Sequence, residues 1–184
     1  MDTKNLKSYL DKFGKQVVNR AKGNVNKAKG GGSKLAESIS FKVIKNENGY
    51  KVEFTMAEYG AYIDKGVSGT ERKRTYKNYK SQTLPSPHAY RKAKNHSQPP
   101  SGAIDKWVVR KGLKGTRNEK GQFIKRKSMV YLIARSIGKK GIKGISFFQK
   151  PLGLGIKQFG KNFLDAITED ILDSIAKNTI TVKK

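Results

Sequence analysis

The sequence predicts an α+β protein: a small antiparallel sheet built on one β-hairpin, packed by an N-terminal helix and a long C-terminal helix, with a basic, loop-rich insertion. Three observations carry that prediction. The runs 39-ISFKVIK-45 and 50-YKVEFTM-56 alternate apolar and polar residues on either side of a turn. Both ends of the chain repeat apolar residues at helical spacing. Between the hairpin and the last helices, residues 71–127 change character to dense positive charge.

The N-terminal helix rests on Leu6, Leu10, Phe13, Val17 and Ala21, spaced by three and four over residues 4–22, with lysines on the other face. The glycines of 23-GNVNKAKGGGSK-34 predict a flexible joint after it, and 34-KLAES-38 a short helical turn. In the hairpin, Ile39, Phe41 and Val43 face the same way as Tyr50, Val52, Phe54 and Met56. The linker 46-NENG-49 ends in Asn-Gly, a strong turn signal. The stretch 58-EYGAYIDKG-66 then changes period. Tyr59, Tyr62 and Ile63 predict one short helix, with Gly66 as its left-handed stop.

Residues 71–127 hold 17 Lys or Arg and 3 acidic residues, a net +14 out of the +26 of the whole chain. Four of the five prolines (Pro85, Pro87, Pro99, Pro100) and both histidines fall here. One helix is predicted inside, capped by Ser101 and running through Ile104, Trp107 and Val108; the rest reads as extended loop. A further amphipathic helix covers 128-SMVYLIARSIG-138, with Ser128 as N-cap and Gly138 as stop. The closing helix places Ile156, Phe159, Phe163, Ile167, Ile171 and Ile175 on one face, and Asp165, Glu169, Asp170 and Asp173 form the concentrated acidic patch of the chain. The final 179-TITVKK-184 reads as a frayed tail or a short strand. The expected organisation is one domain over 1–184, with a core of 1–70 and 128–178, the insertion 71–127 and the tail 179–184.

Lys and Arg number 40 against 14 Asp and Glu in 184 residues, a formal charge of +26. Self-repulsion on that scale disfavours an isolated compact monomer and calls for a polyanion or acidic protein neighbours. The chain has no cysteine, which removes disulfides, thiolate metal sites and cysteine nucleophiles together and fits synthesis in a reducing cytosol. The start, MDTKNLKSYLDKF, is too polar for the apolar centre of a signal peptide. No window approaches the roughly 18 apolar residues that span a bilayer.

The strings 112-GLKG-115 and 141-GIKG-144 match the GxxG loop that grips nucleic-acid backbones in KH domains, but that loop sits between two helices. Strand-like ISFF follows the second string, and a turn, 116-TRNEKGQF-123, follows the first, so neither context fits. No P-loop string occurs, and 153-GLGIKQFG-160 places its third glycine too late for a dinucleotide fingerprint. His88 and His96 have no acidic residue nearby in sequence to orient them. Asp165 and Glu169, at i and i+4, share a helix face that serves a metal far less often than it serves solvent or a basic neighbour. Neither a cofactor, a metal nor a catalytic site is therefore expected. The insertion is more informative. Arg72, Lys73, Arg74, Lys77, Lys80, Arg91, Lys92 and Lys94 interleave with Tyr76, Tyr79 and Tyr90, so cations for phosphates or acidic partners alternate with rings that stack. The alternative reading of this segment is a solvated loop that orders against a protein.

The order of these elements, together with 58-EYGAYIDKGVSGT-70 and 146-SFFQKPL-152, resembles a neck family of tailed bacteriophages, the tail-completion or head–tail joining proteins similar to the lambda Z type. Members typically show Tyr-x-x-Tyr/Val-acid-x-Gly-Thr after the hairpin, matched by Tyr59, Tyr62, Asp64, Gly66 and Thr70. Before the last helix they show Pro-Phe-Leu-x-Pro-Ala-Leu, matched by Phe147, Phe148, Pro151 and Leu152, with Ser146 where the family prefers proline. The wording 131-YLIARSIGKKGIKGISFFQKP-151 also resembles neck proteins of crAss-like phages. The resemblance covers 40–70 and 128–178, under half of the chain, and reaches nothing in 71–127. It implies a non-catalytic, homo-oligomeric ring between portal or adaptor and tail, located in the virion neck after assembly in the host cytoplasm, close to packaged DNA and away from membranes. In that picture Gly141 and Gly144 let the chain turn and Phe147 and Phe148 anchor it. Pro151 opens the closing helix, while Lys139, Lys140 and Lys143 stay outside for DNA or an acidic neighbour. Two other readings of the residues stand beside it: a free, non-specific nucleic-acid-binding protein, and a nuclease using the carboxylates near 165–173.

Overall fold

The computed structural model describes residues 4–29, 32–47, 49–93, 97–113, 117 and 119–181, with the backbone alone at 29, 161, 162 and 173–181. It is mixed α+β, as predicted, and its contacts divide it into two units. The first is drawn from 1–60, 77–82 and 146–184, the second from 61–76 and 83–145. Residues 61–70 and 128–145, expected to belong with the N-terminal core, thus group with the basic segment: Ser68 exchanges backbone hydrogen bonds with His88 and Tyr90, and Ile104 and Val108 pack on Val130 and Ala134.

In the first unit, helix α1 (Lys4–Lys29) leads through α2 (Lys34–Ser38) into strands β1 (Ser40–Asn46) and β2 (Gly49–Thr55). The pair is antiparallel, with Phe41 opposite Phe54, Val43 opposite Val52, and closure at Asn46 and Gly49. The period-two pattern thus forms the predicted antiparallel hairpin, and its apolar face is half-buried. α1 packs on the sheet and on the last helix, α6 (Gln149–Thr181). Rings connect these elements: Phe13 meets Phe54 edge-on at 6.2 Å and Phe159 at 4.9 Å, while Tyr9 stacks on Phe159 at 4.5 Å.

Helix α1 outlasts its predicted end at 22. Residues 23–29 stay helical because Val25, fully buried, extends the stripe of Val17, Val18 and Ala21, and that burial outweighs the glycine penalty at Gly23. In α6 the expected face turns inward only in part, through Phe159, Phe163 and Ile167. Ile156 and Ile171 are 43% and 42% exposed, while Pro151, Gly155, Ala166 and Asp170 face inward with half-buried Phe159 and Phe163. A Cβ on Gly155 would come within 2.9 Å of Phe13 and Val17, so the small residues set the close side of the helix. Ile175 and Asp173 lie outside the described side chains. The helix runs through Thr181 rather than ending in a strand, and 182–184 lie outside the described residues.

In the second unit, α3 (Gly60–Lys65) ends at Gly66 with φ 76°, as predicted. Strands β3 (Thr75–Lys77) and β4 (Thr83–Pro85), of which all but Lys77 fall in this unit, form a second two-stranded sheet inside the segment expected to be loop. α4 (Ser101–Arg110) has Pro100 rather than Ser101 at its N-cap, and no side chain caps it. Its Ile104 and Val108 pack on Val130 and Ala134 of α5 (Arg126–Lys140), whereas Trp107 is 39% exposed. Asp105 and Arg126 form a bidentate pair that holds the carboxyl below its ordinary range. Both predicted ends of α5 move outward, Ser128 becoming internal and Gly138 being retained for a different reason. A side chain at Gly138 would overlap the carbonyl of Ser97, and the stop is Gly141.

Candidate nucleic-acid interface and the glycine joint

The stretch 138–145 is a crossing of two backbones. Val67 N–H donates to Ile142 O at 2.9 Å and Ile142 N–H to Val67 O at 2.8 Å. Around them Thr70 N–H donates to Gly138 O, and Glu71 and Arg72 N–H to Lys139 O. Gly141 N–H caps α5 through Ile137 O, and Ile145 N–H reaches Ile63 O. The amides of Gly141, Ile142 and Ile145 are therefore committed inside the fold, and 141-GIKG-144 is no phosphate cradle of the KH kind. Gly141 stands at φ 69°, ψ −174°, a conformation essentially restricted to glycine. It is a joint.

Within 58–70, Gly60 and Asp64 are buried, while Tyr59 and Tyr62 are 47% and 44% exposed. Neither ring belongs to the core of its own chain. Tyr62 lies against His88, with ring centroids 4.2 Å apart, and Lys65 sits over the Tyr76 ring at 5.9 Å. In 146–152, Phe147 and Pro151 are fully buried and Phe148 meets Phe54 edge-on at 5.4 Å. Ser146 is buried with φ 50°, a backbone conformation that proline cannot adopt.

The predicted cations fall into distinct environments. Arg72, Lys73, Arg91, Lys92, Lys140 and Lys143 are exposed on the second unit; Lys77 and Lys80 are exposed in the 77–82 portion of the first, with Lys80 over Tyr79 at 5.8 Å. Two are engaged internally. Arg74 donates through Nε to Lys140 O at 2.8 Å, and Lys139 pairs with Glu71 at 2.7 Å. That bond, with further positive charge from Lys92 and Arg135, holds the Glu71 carboxyl below its usual range. Lys94 and His96 lie outside the described residues. Of the tyrosines expected to stack, Tyr79 is exposed; Tyr76 and Tyr90 are half-buried, and burial raises the Tyr90 phenol.

Comparison of the chain with protein-family profiles, curated proteins and solved structures finds no match. Its function must be argued from its own geometry.

Three features escaped the sequence pattern. A cleft of about 690 Å³ in the second unit is lined by Tyr62, Pro87, His88, Tyr90, Arg91 and Pro100, among others. His88 Nε2 is buried without a hydrogen-bond partner, and burial, then Lys65, lowers the imidazole pKa below its ordinary value. The second is the β3–β4 sheet. The third is Asp170, 2% exposed, whose Oδ1 and Oδ2 accept the Asn5 and Leu6 N–H groups at 3.1 and 2.9 Å. A carboxylate from α6 thus satisfies first-turn donors of α1 and opposes its dipole. Asp165 and Glu169 are exposed. Among the described residues no group of three His, Asp or Glu is placed to hold a metal, and no helix is long and apolar enough to cross a membrane. Asp170→Asn keeps the volume but removes the charge and one acceptor. We expect a loss of about 1–3 kcal/mol by urea titration, with Asp165→Asn within about 0.5 kcal/mol of the parent.

Proposed function

We propose that the chain is a structural protein of the tailed-phage virion, a subunit of the head–tail connection that acts as a homo-oligomeric ring around the DNA channel and performs no catalysis. The observation that carries this reading is the joint. The two stretches that resemble the neck family, around 58–70 and 131–151, are hydrogen-bonded to one another at Val67 and Ile142. Sequence-distant motifs that meet through their backbones are accounted for as one structural device. The rest of the mechanism is packing and electrostatics. Helices and hairpin supply the packed framework of each unit; exposed Tyr59 and Tyr62 supply rings suited to a subunit boundary. Exposed Arg72, Lys73, Arg91, Lys92, Lys140 and Lys143 offset the charge of channel DNA or of acidic portal, adaptor or tail surfaces.

Disrupting the gene in the phage and imaging the particles tests this. The expected result is DNA-filled heads without joined tails and loss of infectivity; intact, tailed, infectious particles reject it. The same exposed cations favour one other reading, a free protein that coats nucleic acid. That reading requires tight binding of duplex with a log-affinity that falls steeply with log salt, by about 0.9 per phosphate neutralised. Weak, salt-insensitive duplex binding together with presence in purified virions decides for the neck protein.

A further inference from the structure

The side of α6 away from α1 is apolar and acidic at once. Leu164, Ile171 and Leu172, at i, i+7 and i+8, are 69%, 42% and 59% exposed, and Asp165 and Glu169 flank them. From 162 to 176 the chain carries no Lys or Arg, although it has 40 of them elsewhere. A polyanion is repelled from such a strip, and a copy of the same strip would set Asp165 and Glu169 against themselves. The strip fits an apolar surface flanked by cations.

The chain carries such a surface on α5. Tyr131 and Leu132 are 50% and 52% exposed, Lys127 and Arg135 flank Tyr131 at steps of four, and the whole helix, Arg126–Lys140, contains no acidic residue. The strip from 164 to 172 spans roughly 12 Å and α5 about 22 Å at the helical rise, so one seats on the other along its length. We propose that the α6 strip of one subunit docks on the α5 face of the next. Different surfaces meet in this contact, so it is heterologous, and it closes a ring when the rotation per subunit divides a full turn. The inference rests on the ring reading above and names the surfaces that build the ring.

Charge reversal at these exposed sites tests the contact. Three variants are compared with the parent by sedimentation velocity over a range of protein and salt concentrations, with circular dichroism to confirm folding: Asp165→Lys with Glu169→Lys, Lys127→Glu with Arg135→Glu, and all four together. The expected result is an oligomeric parent, a rise of about tenfold or more in the half-assembly concentration for each pair alone, and recovery when the pairs are combined. Loss without recovery on combination overturns the pairing. An oligomeric parent unaffected by either reversal overturns the proposed surfaces and leaves the ring reading standing. A parent that stays monomeric throughout overturns the ring reading and this contact with it.

Discussion

Gly141→Ala is expected to be among the most damaging single substitutions in the chain, although it adds one methyl group. Two independent costs coincide at this position. The backbone conformation, φ 69° and ψ −174°, costs a residue with a Cβ on the order of 1–3 kcal/mol. The added carbon would also overlap Val67 O and sit 2.5 Å from Gly69 N, so it pushes on backbone and finds no flexible side chain to displace. Relief requires separating Val67 from Ile142, which breaks their paired hydrogen bonds at about 1 kcal/mol each and uncaps α5. A total above about 4 kcal/mol follows, in the range reserved for named structural failures. Amide exchange reads the result site by site: protection should be lost first at Val67, Ile142 and Thr70. Gly112→Ala is the control. Gly112 also has positive φ, 60°, but nothing lies within 4 Å of its added carbon, so only the conformational cost of about 1 kcal/mol applies. Equal effects from the two substitutions would mean that the close crossing at 67 and 142 is absent.

What the sequence made legible is what local periodicity can express. The hairpin was readable because Phe41, Val43, Val52 and Phe54 alternate with polar residues over two full strands; a one-residue slip would turn one set outward, and the turn at 46–49 fixes the register. The helix with Ile104 and Val108 was readable for the same kind of reason. Where local propensity and tertiary burial disagreed, burial prevailed: Gly23 argued for a break, but Val25 had a core to enter. β3 and β4 left no trace because strands of three residues, mostly exposed, have no alternation to display. The function of Asp170 was equally hidden, since its partners Asn5 and Leu6 lie 165 and 164 positions away and an inward carboxylate looks like any other on a helix. For the candidate interface, composition identified the positive segment but could not show that Arg74 and Lys139 are spent on Lys140 O and Glu71. The Tyr62–His88 contact likewise joins residues that no spacing rule connects.

The adjacent rings Phe147 and Phe148 provide the other large effect, and a way to separate core from boundary in the same dipeptide. Phe147 has no exposed surface and is the largest fully buried side chain among the described residues. Its carbonyl also accepts a 3.4 Å bond from Asn24 Nδ2, which ties the entry of α6 to α1. Truncation to Ala removes the ring and leaves a cavity that the surrounding helices cannot fill, a cost of about 3–5 kcal/mol. For a chain of this length that corresponds to a fall in Tm on the order of 10 °C. Phe148 is half-buried and makes an edge-to-face contact with Phe54, so Phe148→Ala loses less, about 1–3 kcal/mol including the ring pair. Thermal melts of the two variants test the order. A ring that is fully buried within its own chain has no surface left for a neighbour. If Phe147→Ala melted with the parent while Phe148→Ala collapsed, the direction of the backbone at 146–148 would be reversed. Ser146 at φ 50° would then have no role in turning Phe147 inward. With the order as expected, 146-SFF-148 serves the integrity of the fold, and the proposed ring contacts fall to the exposed side chains, Tyr59 and Tyr62 and the strips of α5 and α6.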